Sequence, residues 1–106
     1  RMLSEGFAKA EVDMDARRLR EARVEAERMV LATRSALRAD GDLLAEHERA
    51  AIDALVLDTE RIATGTDHAA IDSAVEALAQ GTEGFAASRM NRGIRAALAG
   101  RKVEEV

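Results

Sequence analysis

Residues 1–40 contain no proline and a single glycine, Gly6, so nothing after that position breaks a helix before Asp40. Leu3, Phe7 and Met14 are spaced four and seven residues apart, which brings them to one side of a helix. The sequence therefore predicts a nearly continuous helical stretch of roughly forty residues, with an apolar face near its start.

A second apolar stripe begins at Leu19 and continues to Leu37, after an acid-rich stretch at 11–15 where we expect a bend. A helix of roughly forty residues is about 60 Å long. A compact domain of this size has a radius of gyration of only about 13 Å. We therefore expect only the part from Met29 to Leu44 to pack against later helices, and the part before it to project as an arm.

The remainder of the chain predicts shorter helices that are separated by glycine-containing turns. Gly41 marks the first stop, and a helix is expected over about 45–64, with Glu48 as the acid of a capping box. Thr66 and Asp67 are alternative N-caps for the next helix, and Asp67 is the better of the two.

We expect a break near Gly81 and a last helix that ends at Gly100, followed by a flexible tail over 101–106. Met29 and Met90 are expected to fill gaps in the core. The predicted fold class is all-α, with a long N-terminal helical arm followed by a small antiparallel three-helix bundle. The chain begins with Arg1 rather than Met, and we expect it to be part of a longer protein.

Composition narrows the possible functions. The formal net charge is −4 and arginines alternate with acids, which argues against a nucleic-acid surface. The absence of cysteine excludes disulfides and thiolate sites and fits a reducing cytoplasm. Apolar runs are too short for a membrane span, and no signal peptide is visible, so no membrane partner is expected.

Two histidines are the obvious candidates for chemistry, and neither sits in a complete motif. His47 lies between two glutamates, and His47 with the glutamate after it matches the start of the His-Glu-x-x-His motif of zinc-binding helices. Ala51 occupies the position of the second histidine, so the motif is incomplete. His68 follows the Asp67 cap in a turn. We therefore predict no metal site, no catalytic residue and no enzymatic activity for this chain.

The segment 15–28 is mostly charged, and its opposite charges recur four residues apart, for example at Arg23 and Glu27. Such pairs support an exposed helix. Leu3, Phe7 and Met14 differ, because they form an apolar face on a segment that has no core of its own to cover it. An uncovered apolar face indicates a missing partner.

The order of an apolar first helical segment, a charged second one and a small bundle resembles the helical lid of DnaK-type heat-shock proteins. Within that family the chain is most similar to the HscA branch, which serves iron–sulfur cluster assembly. The resemblance covers the whole chain and is carried by these segments: 7–11, 13–17, 24–26, 36–37, 39–40, 43–44, 48–49, 52–53, 85–87, 89–90, 95–98 and Gly100.

The resemblance implies a separate role for each part of the chain. Residues 1–15 would dock on a β-sandwich peptide-binding subdomain of the same protein through Leu3, Phe7 and Met14. The charged helix over 16–40 would cover the client peptide, 41–100 would complete the bundle, and Glu25 or Glu27 would latch the lid to a β-subdomain loop.

The resemblance also implies partners that lie outside this chain. The full-length protein would bind ATP and magnesium in a separate domain, use a J-domain cochaperone and recognise the iron–sulfur scaffold protein in the bacterial cytoplasm. The chain itself would hold no cofactor. An alternative is an independent helical adaptor that binds a partner helix, or forms a dimer, through Leu3, Phe7 and Met14.

Overall fold

The computed structural model describes the backbone of residues 2–105 and the side chains of residues 10–100. Within these residues the chain is helical and contains no strand, which confirms the predicted all-α class. The elements in order are α1 (Met2–Asp40), a 3₁₀ turn (Gly41–Leu43), α2 (Glu46–Ala63), α3 (His68–Gly81) and α4 (Glu83–Glu105).

Helix α1 runs without interruption for 39 residues and passes through the acid-rich stretch at 11–15 as regular helix. The molecule is elongated as a result, with principal extents of 79 × 33 × 17 Å and a radius of gyration of 20.0 Å. A compact chain of this length would have a radius near 13 Å. The predicted arm is confirmed by this shape.

The bundle is built from α1, α2 and α3, and it covers more of α1 than we expected. Ala22 and Ala26 are buried against Ile71 of α3, so packing begins near Leu19 rather than at Met29, and that prediction is wrong. The reason is the length of α2. Its 18 residues fold back along a similar number of residues of α1, so that the Nε of Arg23 lies 3.2 Å from the carbonyl oxygen of Ala63 at the end of α2.

The core consists of two clusters of aliphatic side chains between these helices. The larger cluster lies towards the turn after α1, and the smaller lies towards the arm. Two buried threonines, Thr33 and Thr59, each donate a hydroxyl hydrogen bond of 2.8 Å to the carbonyl four residues earlier, so neither hydroxyl is left unpaired. The buried members of the larger cluster are Val30, Ala36, Leu37, Ile52, Val56, Leu78 and Phe85.

The helix starts follow the predicted capping residues. The backbone N–H of Ala45 donates to Glu48 Oε1 at 2.9 Å, which is the acid half of a capping box at the start of α2. Asp67 Oδ1 accepts from the backbone N–H groups of Ala69 and Ala70 at 3.1 and 3.2 Å. Asp67 is therefore the N-cap of α3, as preferred over the neighbouring threonine.

The predicted break near Gly81 is present as a one-residue junction at Thr82 between α3 and α4. The Thr82 hydroxyl donates to the carbonyl of Leu78 at 2.9 Å and closes the end of α3. A Cβ atom on Gly81 would collide with the side chain of Leu55. Glycine at this position thus lets the end of α3 approach α2 closely.

Two predictions about α4 are wrong. Gly100 does not end the helix, which continues to Glu105. No described glycine has a positive φ, so Gly100 carries only a weak helix penalty, and the charged residues after it favour helix. Met90 is 68% exposed rather than a core residue, because the part of α4 that enters the apolar core is its first turn, through Phe85. Met29 does pack against the core, although it is only partly buried.

Candidate functional site

The arm exposes apolar side chains where the bundle no longer covers α1. All side chains from Ala10 to Arg18 are exposed. Val12 and Met14 are 66% and 50% exposed despite their apolar character. Ala10, Met14 and Arg18 line one shallow groove along the helix, together with Glu11 and Asp15. Exposed apolar atoms flanked by charges are typical of a surface that binds a partner.

Of the three residues predicted to dock on another subdomain, only Met14 has a described side chain, and it is exposed. Leu3 and Phe7 lie in the helical part of α1, but their side chains are outside the described residues. Their role in docking stays a prediction.

The arm meets the bundle at the start of α3. His68 Nε2 lies 3.9 Å from Asp15 Oδ1. The cavity beside them is lined by charged groups from α1 and α3, among them Glu25 and Asp72. Among the residues that the structure describes, no three His, Asp or Glu side chains come close enough to hold a metal ion. His47 is exposed on α2 and lies apart from this cavity.

The two candidate latch residues lie on opposite flanks of α1. Glu25 lines the cavity shared with α3, whereas Glu27 lines a groove shared with Arg34 and with Glu60 of α2. Positions two residues apart in a helix are separated by about 200° around its axis. Both carboxylates are exposed, but they cannot face the same partner loop.

The predicted ion pair between Arg23 and Glu27 does not form. Arg23 instead donates to the carbonyl oxygens of Ala63 and Gly65, at 3.2 and 2.6 Å. These carbonyls lie at the end of α2, where backbone acceptors lack helical partners. Arg23 therefore fastens the α2–α3 turn to α1. The recurrence of opposite charges four residues apart does not predict this role.

At the far end of the bundle, a charged cluster joins α4 to the end of α1. Arg89 Nε donates to Asp40 Oδ2 at 2.8 Å, and Arg92 donates to Asp40 Oδ1 at 3.0 Å. Arg92 also binds both carboxylate oxygens of Asp42, at 2.9 and 2.5 Å. We call these four residues the charged clamp.

The clamp shifts the pKa values of its acids. Hydrogen bonds from Arg89 and then from Arg92 lower the pKa of Asp40 below its ordinary 3.8. The hydrogen bond from Arg92 likewise lowers the pKa of Asp42. Each carboxylate is ionised at neutral pH, which is the state that the arginines bind.

Comparison with known proteins identifies the family. No family model matches the chain. It is 72% identical over all 106 residues to a protein named as a chaperone protein HscA homolog from Methylibium petroleiphilum. HscA homologs from Cupriavidus pinatubonensis and Burkholderia thailandensis are 59% and 58% identical over the same full span. The chain belongs to the HscA family.

Membership of the HscA family confirms the resemblance drawn from the sequence, and the chain spans 17% of the length of the curated HscA relatives it matches. The match includes the arm, so Met14, Glu25 and Glu27 all lie within the aligned region. None of the described helices combines the length and apolarity needed to cross a membrane.

The HscA resemblance did not reveal the charged clamp, and neither did the spacing of its residues. Its acids and arginines are 49 to 52 positions apart along the chain. Only the return of the chain to the end of α1 brings them together. The sequence does carry one signal, since Asp40 and Asp42 lie on either side of the turn residue Gly41, and Arg89 and Arg92 share one side of a helix.

Proposed function

We propose that this chain is the lid of a chaperone's peptide-binding domain and that it controls how long a client stays bound during iron–sulfur cluster assembly. The observation that carries the proposal is the arm. Helix α1 extends beyond the bundle, and Val12 and Met14 are exposed on the part that the bundle does not cover.

The bundle gives the arm a rigid base. From Leu19 to Asp40, α1 is held on one side by α2 and α3, and Arg23 adds a fastening at the end of α2. An unbroken helix transmits a tilt at one end to the other. Docking of the arm on a β-sandwich subdomain would thereby set the position of the whole bundle.

The docking surface is the side of α1 that carries Met14, together with the predicted Leu3 and Phe7. Complete burial of a methionine side chain is worth about 1.5–3 kcal/mol, so a half-exposed Met14 would contribute a fraction of that on docking. Several such contacts are enough to hold a lid shut while leaving it able to open.

The geometry of α1 favours Glu25 over Glu27 as the latch. Glu25 follows Met14 by eleven residues, which is close to three full turns, so both lie on the same side of an unbroken helix. Glu27 lies on the opposite flank, towards α2. A basic group on a loop of the β-subdomain would therefore meet Glu25 when Met14 is docked.

The proposal assigns catalysis to parts of the protein outside this chain. ATP and magnesium would bind in the full-length protein, and a J-domain cochaperone and the iron–sulfur scaffold protein would be its partners. The lid would hold no cofactor and would act in the bacterial cytoplasm by changing the rate of client escape.

The test is made in the full-length chaperone by measuring dissociation of a labelled client peptide in the ADP-bound state. We expect Met14→Ser and Glu25→Lys each to speed dissociation by about tenfold, which corresponds to ~1.4 kcal/mol of lost docking energy. Glu27→Lys and the matched exposed-leucine variant Leu57→Ser on α2 should leave it unchanged. Basal ATP hydrolysis should be unaffected in all four.

Equal dissociation rates in the wild type and Met14→Ser would contradict the lid function. If the client dissociated faster from Glu27→Lys and at the wild-type rate from Glu25→Lys, only the choice of Glu25 as the latch would be contradicted. The alternative of an independent adaptor predicts that Met14→Ser abolishes binding to a partner helix and has no effect on client release.

A further inference from the structure

Helix α4 is joined to the rest of the molecule through few contacts. Its link to α3 is the single residue Thr82, whose φ of −105° and ψ of 1° depart from regular helix. Phe85 is the one member of α4 in the two core clusters of the described residues. All side chains from Ala86 to Gly100 are exposed, so little apolar contact fixes the direction of α4.

A groove separates the first turns of α4 from α1. Its volume is about 150 Å³, and the residues on its walls include Met29, Ala32 and Ala36 of α1 and Ala86 and Arg89 of α4. Closely packed helices leave few voids larger than a water molecule. Helix α4 therefore approaches α1 at Phe85 and at the charged clamp, and the space beside these contacts is not filled.

The charged clamp is open to solvent at three of its four side chains. Arg89 and Arg92 are each 41% exposed and Asp42 is 67% exposed, whereas Asp40 is 19% exposed. Salt weakens interactions between exposed charges, because the Debye length falls from about 30 Å at 0.01 M to about 3 Å at 1 M. The contacts that direct α4 are thus of a kind that salt weakens.

The position of the clamp explains why α4 docks at all. Asp40 is the last residue of α1, where the helix dipole has its negative end. A carboxylate there is unfavourable unless cations lie beside it. Arg89 and Arg92 supply that positive charge when α4 lies against the end of α1, so charge favours docking when salt is low.

We propose that α4 has two positions, a docked one held by the charged clamp and a released one reached by rotation at Thr82, and that salt shifts the population from the first to the second. Phe85 lies three residues after Thr82 and serves as the pivot, since its ring stays in the core while the far end of α4 moves.

The length of α4 makes the released position measurable. Ala97 lies about 22 Å beyond Thr82 along the helix, so a rotation of roughly 40° displaces it by about 15 Å. The inference concerns α4 alone and does not depend on the lid function of the arm.

Pulsed electron resonance between two nitroxide labels on the 106-residue chain measures the position of α4, and the sequence has no cysteine of its own to take up the label. One label is placed at Leu57→Cys on α2 and the other at Ala97→Cys on α4, both exposed positions. We expect one narrow distance distribution at about 0.01 M salt and, at about 1 M, a second population longer by about 10 Å or more.

Two variants with the same change of charge on α4 assign the effect to the clamp. Arg92→Ala should show the longer distance already at about 0.01 M salt and should lose most of the salt response. Arg95→Ala removes an arginine of α4 that lies outside the clamp and should behave as the wild type.

Two further measurements separate rotation from other changes. Labels at Val24→Cys and Leu57→Cys, on exposed positions of α1 and α2, should keep the same distance at both salt concentrations. The circular dichroism signal should also stay constant. A loss of helical signal that matches the length of α4 would show unfolding in place of rotation and would overturn the proposal.

The labelled pair on α2 and α4 can also contradict the proposal directly. A distance distribution that responds neither to salt nor to Arg92→Ala would overturn it. So would a salt response that is as large in Arg92→Ala as in the wild type, because screening would then act on charges outside the clamp.

Discussion

The charged clamp sets the direction of α4 through three exposed or half-exposed side chains, Asp42, Arg89 and Arg92, and the more buried Asp40. Arg92 is its centre, because it binds Asp40 and both oxygens of Asp42. We expect Arg92→Ala to lower the free energy of unfolding and to speed amide hydrogen exchange more in α4, where the restraint is lost, than at Ile71 in the core. Unchanged exchange in α4 would mean that Phe85 alone holds the helix in place.

The clamp also makes stability depend on pH in a defined direction. The pKa of Asp40 is lowered in the folded state by hydrogen bonds from Arg89 and Arg92. A lowered pKa contributes stability above the ordinary value of 3.8, and this contribution is lost as pH falls through the folded-state value. Urea unfolding should therefore separate the wild type from Arg92→Ala at pH 7 and bring them together once the pH has fallen below the lowered pKa values of Asp40 and Asp42.

Single core residues carry much of the stability of so thin a core. Leu78 of α3 is completely buried, and it belongs to the cluster that also holds Val56 of α2 and Phe85. We expect Leu78→Ala to cost about 2–5 kcal/mol of unfolding free energy, through lost burial and the cavity left behind. Urea titration measures this. The exposed Leu57→Ala should change stability by less than about 0.5 kcal/mol.

At the scale of helices, capping explains where α3 begins. Asp67 accepts two backbone hydrogen bonds that the first turn of α3 could not otherwise satisfy. We expect Asp67→Ala to destabilise the fold by about 1 kcal/mol, measured by thermal unfolding. Thr66→Ala is the matched control and should have little effect. An equal loss in both variants would point to the turn rather than to the cap.

The sequence predicted the helix starts better than it predicted the last helix end. Asp67 and Glu48 act through local hydrogen bonds, which local sequence encodes. The prediction that Gly100 ends α4 is wrong, because the left-handed conformation with which glycine commonly ends a helix is absent among the described glycines. Nothing adjacent to Gly100 in the sequence reveals that difference.

At the scale of the whole molecule, the arm contributes surface rather than stability. Side chains from Ala10 to Arg18 are exposed, and the core begins at Leu19. Deletion of residues 1–14 should therefore change the thermal midpoint of the bundle little, while the circular dichroism signal falls in proportion to the helix removed. A large drop in the midpoint would show that the arm packs on the bundle in solution.

The molecule separates its rigid part from two exposed helix ends. The bundle lies between the arm of α1, which exposes Met14, and the later part of α4, which exposes Met90, Ile94 and Leu98. At both ends a helix whose base is anchored in a small core extends past it with apolar side chains uncovered. The face on α1 is the one proposed to dock within the chaperone.

Local chemistry and periodicity by themselves determined the helical class, the length of α1, the caps and the exposed character of the arm, since each depends on residues within a few turns. The family likeness followed from the order of short segments along the chain. Tertiary structure alone decided that packing begins at Leu19, that Arg23 fastens the α2–α3 turn, and that Met90 faces outward. Those outcomes depend on how far α2 folds back and on where the charged clamp directs α4. Both are set by contacts between residues about forty or fifty positions apart, which no local pattern encodes.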